Sequence, residues 1–407
     1  MIKSSEKTFL KLGFLVLILL ILFRPLTLMG SEIGFGSINV LELFAVGISY
    51  FLLVILLANL RQIPLDRASL LGIYFCTYCL ASLFWGSYIQ WVARVILPFV
   101  VFLSVRTFVN DQKQINALLI SLCIAYIIPI LLSTNDIILS KNIDRVEYLS
   151  GVTRFSGVFH GSHILAYAMI IFSFLYCLLS ERSILKSNLS KIAVTLLLVL
   201  SIFCLYKSYT RTAYIGFLVF WTVYLFSAKS KIRTIIFIST FVLILISANF
   251  QEVFWKSEKI HNLNTASSGR IELWVYNLNL FQKSYFYEKL LGHGIGNVVG
   301  LANNSSIVGS SHNDYLELLM AGGVIGLLLY LVLLLNLLWD IICSQINKRS
   351  KFLFGGILAS IAVMNLLSNA SIFRIENAQY FWFFMGLFYC IKDLDSRNKQ
   401  IPVERVT

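Results

Sequence analysis

The sequence predicts an all-α, polytopic integral membrane protein with about 12 transmembrane helices and a large periplasmic loop. Three observations carry this prediction. Of 407 residues, 58% are hydrophobic and only 13% are charged, with a mean hydropathy of +0.80. A water-soluble globule cannot cover that much apolar surface, so soluble multidomain enzymes are excluded, and so is a disordered chain. The apolar residues come in runs near the ~20 residues that cross a bilayer at ~1.5 Å per residue. Basic residues gather in the short segments between the runs.

The runs lie roughly at 8–23, 39–60, 69–88, 89–108, 115–133, 163–179, 191–208, 212–227, 234–249, 314–339, 352–369 and 378–391. The first follows Lys3, Lys7 and Lys11 and precedes Arg24-Pro25. No small-residue cleavage site follows it, so it reads as a retained anchor. The third and fourth are joined by almost no chain. With the N-terminus inside, the inner segments hold 20 basic residues, from Lys3 to Arg405. The short outer segments hold 7: Arg24, Lys141, Arg145, Arg154, Lys207, Arg211 and Arg374. This bias places both termini in the cytoplasm and makes the span number even. The net charge of +13 then reports topology rather than nucleic-acid binding. The seven cysteines lie in or beside apolar runs and imply no disulfide framework. Cys76 and Cys79 form a CxxC inside a span, where small side chains pack well, and read as packing rather than a redox or metal pair.

Two outer segments are polar, about 134–162 and 250–313. All five histidines, His160, His163, His261, His293 and His312, fall on or beside them. Either histidine avoids lipid, or the chemistry faces outward.

Three helix starts in or beside these segments carry a basic residue. In SYTRTA at 208–213, Thr210 is an expected N-cap and puts Arg211 in the first turn. In SSGRIELWVYNLNLF at 267–281, Ser268 or Gly269 is the expected cap and Arg270 is again in the first turn. Ile271, Trp274, Val275, Leu278 and Phe281 have amphipathic helical spacing, with Glu272 and Asn279 opposite. Such a helix suits the membrane surface. In SSHNDYLE at 310–317, Ser311 and Asp314 resemble a capping box, with His312 as the first helical residue. Helix starts with free N–H groups attract anions, and two arginine forks suit a diphosphate. Cationic headgroup anchors are the competing reading of each arginine. A helix start keeps an imidazole neutral and able to accept a proton, with Asp314 or Glu317 to orient it. The competing reading of His312 is a capping residue.

GHGIGN at 292–297 has no preceding strand and no P-loop lysine, so it marks tight turns rather than a nucleotide site. Gly322 and Gly323 predict close helix packing or a local break in the tenth span. Glu42 and Arg94 lie at similar membrane depth. They fit a mutual pair, and Arg94 equally fits a further diphosphate ligand.

TRTAYIGF at 210–217, GRIELW at 269–274, LLGHGIGN at 290–297 and SSHNDYLELLMAGGVIG at 310–326 resemble the O-antigen ligase and polymerase superfamily of bacterial inner-membrane glycosyltransferases. RFSGVFHGSHILAYAM at 154–169 resembles a weaker upstream signature, with His160-Gly161 in place of the usual asparagine-proline pair. The resemblance implies a GT-C-like helical fold. It implies metal-independent, inverting transfer of a glycan from undecaprenyl diphosphate at the periplasmic face, with no cofactor. Arg211 and Arg270 would hold the diphosphate, and His312 would be the base. Arg154, Arg94, Asp314 and Glu317 are supporting candidates, and no metal ligands are expected. The acceptor is lipid A-core for a ligase or a second lipid-linked glycan for a polymerase. A protein-glycosylating relative is a third option, and a transporter or lipid-glycan flippase a more distant one. Expected partners are the lipid-linked glycan, the acceptor and membrane lipids, without nucleic acid. The chain divides into 1–133, an N-terminal bundle; 134–249, central helices with an outer loop; 250–340, the periplasmic loop and next span, of O-antigen ligase type; and 341–407, C-terminal spans and a cytoplasmic tail.

Overall fold

The computed structural model describes the backbone of residues 2–29, 34–35, 38–146, 153–227, 270–297 and 311–400. Side chains are described at 8–29, 46–144, 153–227, 270–297 and 311–397. The helices, in order, are α1 (Ile2–Thr27), α2 (Val40–Ala58), α3 (Arg67–Ala81), α4 (Ile89–Phe108), α5 (Gln112–Ile138), α6 (Ser162–Glu181), α7 (Asn188–Lys207), α8 (Arg211–Leu225), α9 (Arg270–Lys283), α10 (Phe286–Leu291), α11 (Asp314–Cys343), α12 (Lys348–Leu367) and α13 (Ile375–Gln400). Two short antiparallel hairpins are added: β1 (Gly34–Phe35) with β2 (Ile38–Asn39), and β3 (Ile143–Val146) with β4 (Thr153–Phe155). Eleven of the twelve expected runs are helices. The ninth, 234–249, lies outside the described residues. Among the described residues, eight helices are long and apolar enough to cross a membrane, and Val46–Ala58 and Arg211–Leu225 are shorter apolar helices. The protein is an all-α polytopic membrane protein.

The helices start where polar caps interrupt the apolar runs. Asp66 accepts from Ser69 N at 3.0 Å, Asp111 from Gln114 N at 2.7 Å, Ser187 from Ser190 N at 3.0 Å and Asn347 from Ser350 N at 2.8 Å. These four caps begin α3, α5, α7 and α12, all at one end of the bundle. Ionic contacts knit that end together: Arg106 with Asp66 at 2.7 Å, Arg182 with Asp395 at 3.7 Å, Arg349 with Glu181 at 3.7 Å and Lys392 with Asp340 at 3.5 Å.

The alternate connections meet at the opposite end. Met29 bridges to Phe159, Tyr88 N donates to Ile295 O at 3.0 Å, and Thr210 Oγ1 donates to Ser162 O at 3.3 Å. The alternation expected from loop charge is therefore present in three dimensions. α13 is the enclosed centre: every side chain from Asn377 to Ile391 is buried. It packs along α4, while α8 packs along α12 and α11 along α3. Aromatic edges fill the α4–α13 seam, with Trp382 edge-on to Phe99 at 5.2 Å and to Phe102 at 5.6 Å.

α11 is broken as the paired glycines predicted. Gly323 has φ 61° and ψ −170°. A Cβ there would fall against the Leu290 carbonyl, because the chain at 290–294 enters the gap. His293 N donates to Met320 O at 2.9 Å and Gly294 N to Ala321 O at 3.0 Å, so the carbonyls released by the break find new donors. GHGIGN forms the tight turns expected of it, with positive φ at Gly292, Gly294 and Gly296.

Candidate active site

The loop-bearing end assembles a basic site from four distant segments. Arg211 is the first residue of α8 behind the N-cap Thr210, as the sequence predicted. The Thr210 hydroxyl does not bond the helix amides; it ties α8 to the start of α6 through Ser162 O. Arg270 is the first residue of α9, and its Nη1 donates to the carbonyl of Leu367 at the end of α12. Arg154 lies on β4 and is buried. The caps expected at Ser268 or Gly269 lie outside the described residues.

The three guanidiniums feel one another. Burial lowers the Arg270 pKa from its ordinary value. Tyr167 opposes that shift, and the charges of Arg211 and Arg154 add to it. Arg154 and Arg211 thus lie within electrostatic range of Arg270. Tyr167, from α6, joins them: its hydroxyl lies 3.4 Å from Thr212 Oγ1 and bonds the Ser368 side chain, within electrostatic reach of both Arg270 and Asp314. Clustered positive charge at partly buried depth is chemically suited to an anion, and Arg270 is held in place by the Leu367 carbonyl.

The wall of this site is the α12–α13 connection. Asp314 Oδ2 accepts from the backbone N–H groups of Ala370, Ser371 and Ile372 at 2.9, 2.8 and 3.0 Å. Glu317 Oε2 accepts from Asn369 Nδ2. Both carboxylates therefore brace the segment whose first carbonyl, Leu367, receives Arg270.

The reading of SSHN is corrected. The N-cap of α11 is Asn313, whose Oδ1 accepts from Leu316 N at 3.0 Å, not Ser311. Ser311 Oγ instead donates to Asn313 O at 2.9 Å. His312 is not the first helical residue. It precedes the cap with φ 50° and is exposed. The physical reason is reach: the Asn313 side chain meets the amide of Leu316, three residues on and inside the helix, whereas Ser311 Oγ accepts only from Asn313 N at 3.3 Å, ahead of it. Left-handed backbone is uncommon outside glycine and is tolerated better by histidine than by branched residues. The Trp274 indole donates to Ser311 O at 2.8 Å, which fixes this bend to α9.

The other candidates sit elsewhere. Arg94 stacks over Trp91 at 4.5 Å, and Trp91 packs against Gly296 of the GHGIGN turn. The Glu42 side chain lies outside the described residues, and so does His261. His160 is exposed and His163 half-buried at the start of α6. His293 is tied into the α9–α10 turn, with Nε2 at 2.9 Å from Ser284 Oγ and Nδ1 at 3.8 Å from Glu288 Oε1. Sequence reasoning missed Tyr167 and Asp144. Asp144, from β3, accepts from Ser162 N at 3.1 Å and from its hydroxyl at 2.8 Å, and so caps α6. The available signal for Tyr167 was a phenol early in a span beside RFSGVFHG.

Fold and site together define a polytopic membrane protein with basic residues gathered at one end of its bundle. Residues 196–331 match the family model described as O-antigen ligase, which takes in α8, α9 and the start of α11. Over that region the chain is similar to the O-antigen ligase superfamily, in line with its motifs. It is also 28% identical over 207 residues to the ComP-specific O-oligosaccharyltransferase of Acinetobacter baylyi. That match covers 47% of this chain and 36% of the relative, so the chain spans about a third of the relative's length.

Proposed function

We propose that the protein transfers a glycan from undecaprenyl diphosphate to an acceptor hydroxyl at the periplasmic face of the inner membrane, with inversion and without a metal ion. The observation that carries this reading is the placing of Arg154 and Arg211 within electrostatic range of Arg270 at one end of the bundle. In it, the guanidiniums hold the donor diphosphate. The acceptor oxygen attacks C1 of the donor sugar from the face opposite the diphosphate. The C1–O bond breaks, its electron pair goes to the diphosphate, and the arginines neutralise the charge that develops there. His312 takes the acceptor proton. Its exposure suits a base that must meet an incoming acceptor. The region 250–340 then carries the base and one diphosphate arginine, and 134–249 supplies the other two.

The acceptor is lipid A-core in the ligase form of this reading. Transfer to a protein hydroxyl is the second form, and the name of the Acinetobacter relative favours it. Purified protein in nanodiscs, given undecaprenyl-diphosphate glycan, should transfer to one acceptor among lipid A-core, a protein hydroxyl and a second lipid-linked glycan. Activity should survive excess EDTA. Arg211→Lys and Arg270→Lys should each fall by about 10²-fold, since lysine keeps the charge and loses the bidentate fork. Wild-type turnover in both lysine variants would reduce the arginines to headgroup anchors.

A further inference from the structure

We infer that the α9–α10 hairpin is a membrane-surface seat, which rests Val275, Leu278 and the turn Tyr285–Phe286–Tyr287 in the headgroup–acyl boundary of the leaflet at the loop-bearing end. At ~100° per residue, a helix through 270–283 has three sides. Trp274, Asn277 and Phe281 share the first, which faces the protein. Trp274 bonds Ser311, Asn277 is buried, and Phe281 packs on the core. Ile271, Val275 and Leu278 share the second, where Val275 and Leu278 are exposed, with Gln282 on the same side at the hairpin end. Glu272, Asn279 and Lys283 share the third and are exposed. A helix in water alone has no use for two distinct exposed sides, one apolar and one polar. A helix lying in an interface has protein beside it, lipid below and water above.

This differs from the sequence expectation, in which all five apolar residues faced the membrane. Trp274 and Phe281 have been taken by the protein, and the aromatic turn replaces them. Tyr285, Phe286 and Tyr287 are 71%, 76% and 60% exposed, and the two tyrosine rings stack at 5.8 Å. Aromatic side chains of this kind settle at the headgroup level.

The occupant is lipid because the patch continues a lipid-facing surface. The segment 291–295 is bonded to the turn between α3 and α4: Tyr78 Oη to Leu291 O at 2.9 Å, Trp85 Nε1 to Leu291 O at 3.2 Å, and Tyr88 N to Ile295 O at 3.0 Å. That turn joins two membrane-crossing helices and so marks the hydrocarbon boundary. It exposes Phe84, at 93%, with Tyr88 and Ile89. The end of α10 is thus held at that boundary, and the exposed aliphatic Val275 and Leu278 of the same hairpin suit acyl chains rather than a sugar face.

The test uses the full chain in nanodiscs of phosphatidylethanolamine and phosphatidylglycerol. Cys343 is the exposed cysteine and the other six are buried, so Cys343→Ser leaves a quiet background. Phe286→Cys and Asn279→Cys each take a bimane label. A nitroxide placed shallow in the lipid should quench the label at 286 at least about twofold more than the label at 279, and aqueous iodide should do the reverse. Equal iodide quenching at both positions, without lipid quenching, would overturn the seat. Shielding of position 286 from both quenchers would also overturn it and assign the patch to a protein or glycan partner. Neither result depends on glycan transfer, so the seat and the transferase reading fail separately.

Discussion

At the scale of single residues, the site separates groups that hold charge from groups that can move a proton. Arg154 is buried, and Arg270 is held by the Leu367 carbonyl, so these guanidiniums are tied to the fold. His312 is different: it stands outside α11, exposed, at a bend where Ser311 Oγ donates to Asn313 O and accepts from Asn313 N. His312→Ala is expected to insert normally and to bind undecaprenyl-diphosphate glycan at wild-type affinity, while transfer falls by ~10²–10⁴. The pH–rate profile should lose its acid limb, because a histidine base acts only when neutral. Normal transfer in this variant would demote His312 to a bend residue and make His160 or His163 the next base to test.

At the scale of elements, α11 does two things with one sequence. Its first turn braces the α12–α13 connection, and its Gly323 break receives the 290–294 segment. Both contacts hold pieces of the site to a membrane helix. Asp314 and Glu317 were legible as functional acids, but they bond a backbone and an amide on residues 369–372, more than 50 positions away. Asp314→Ala would orphan three buried N–H groups, each costing about 1–3 kcal/mol. We expect a lowered unfolding temperature in detergent and a raised KM for the donor, as the Leu367 carbonyl that anchors Arg270 loosens. Asp314→Asn keeps a carbonyl acceptor and should recover most of the stability. A donor KM unchanged in a folded Asp314→Ala protein would uncouple this brace from the arginines.

At the scale of the whole molecule, what the sequence shows and what it hides divide along physical lines. Eleven helices were readable because a bilayer demands ~20 apolar residues, and that demand is local. The break in α11 was readable because paired glycines are local too. The meeting of Arg154 with Arg270 was not, since it depends on how α6, α8 and α9 pack. Nor was the cap at Asn313, because SSHN offers adjacent serine and asparagine caps that only the final bend chooses between. Sidedness is the property on which the transferase reading stands or falls. Lys113, Lys186, Lys348, Arg349 and Lys392 belong to the end opposite the arginine site, where Asp66, Asp111, Ser187 and Asn347 cap the inward helix starts. Positive charge stays on the cytoplasmic side during insertion, so the arginine site should face the periplasm. An alkaline phosphatase fusion after Asn303 should be active, and a green fluorescent protein fusion there dark. A fusion after Ser187 should give the reverse pair. A cytoplasmic signal at Asn303 would put the arginines on the side away from the acceptor and end the transferase reading, whatever the chemistry of the residues themselves.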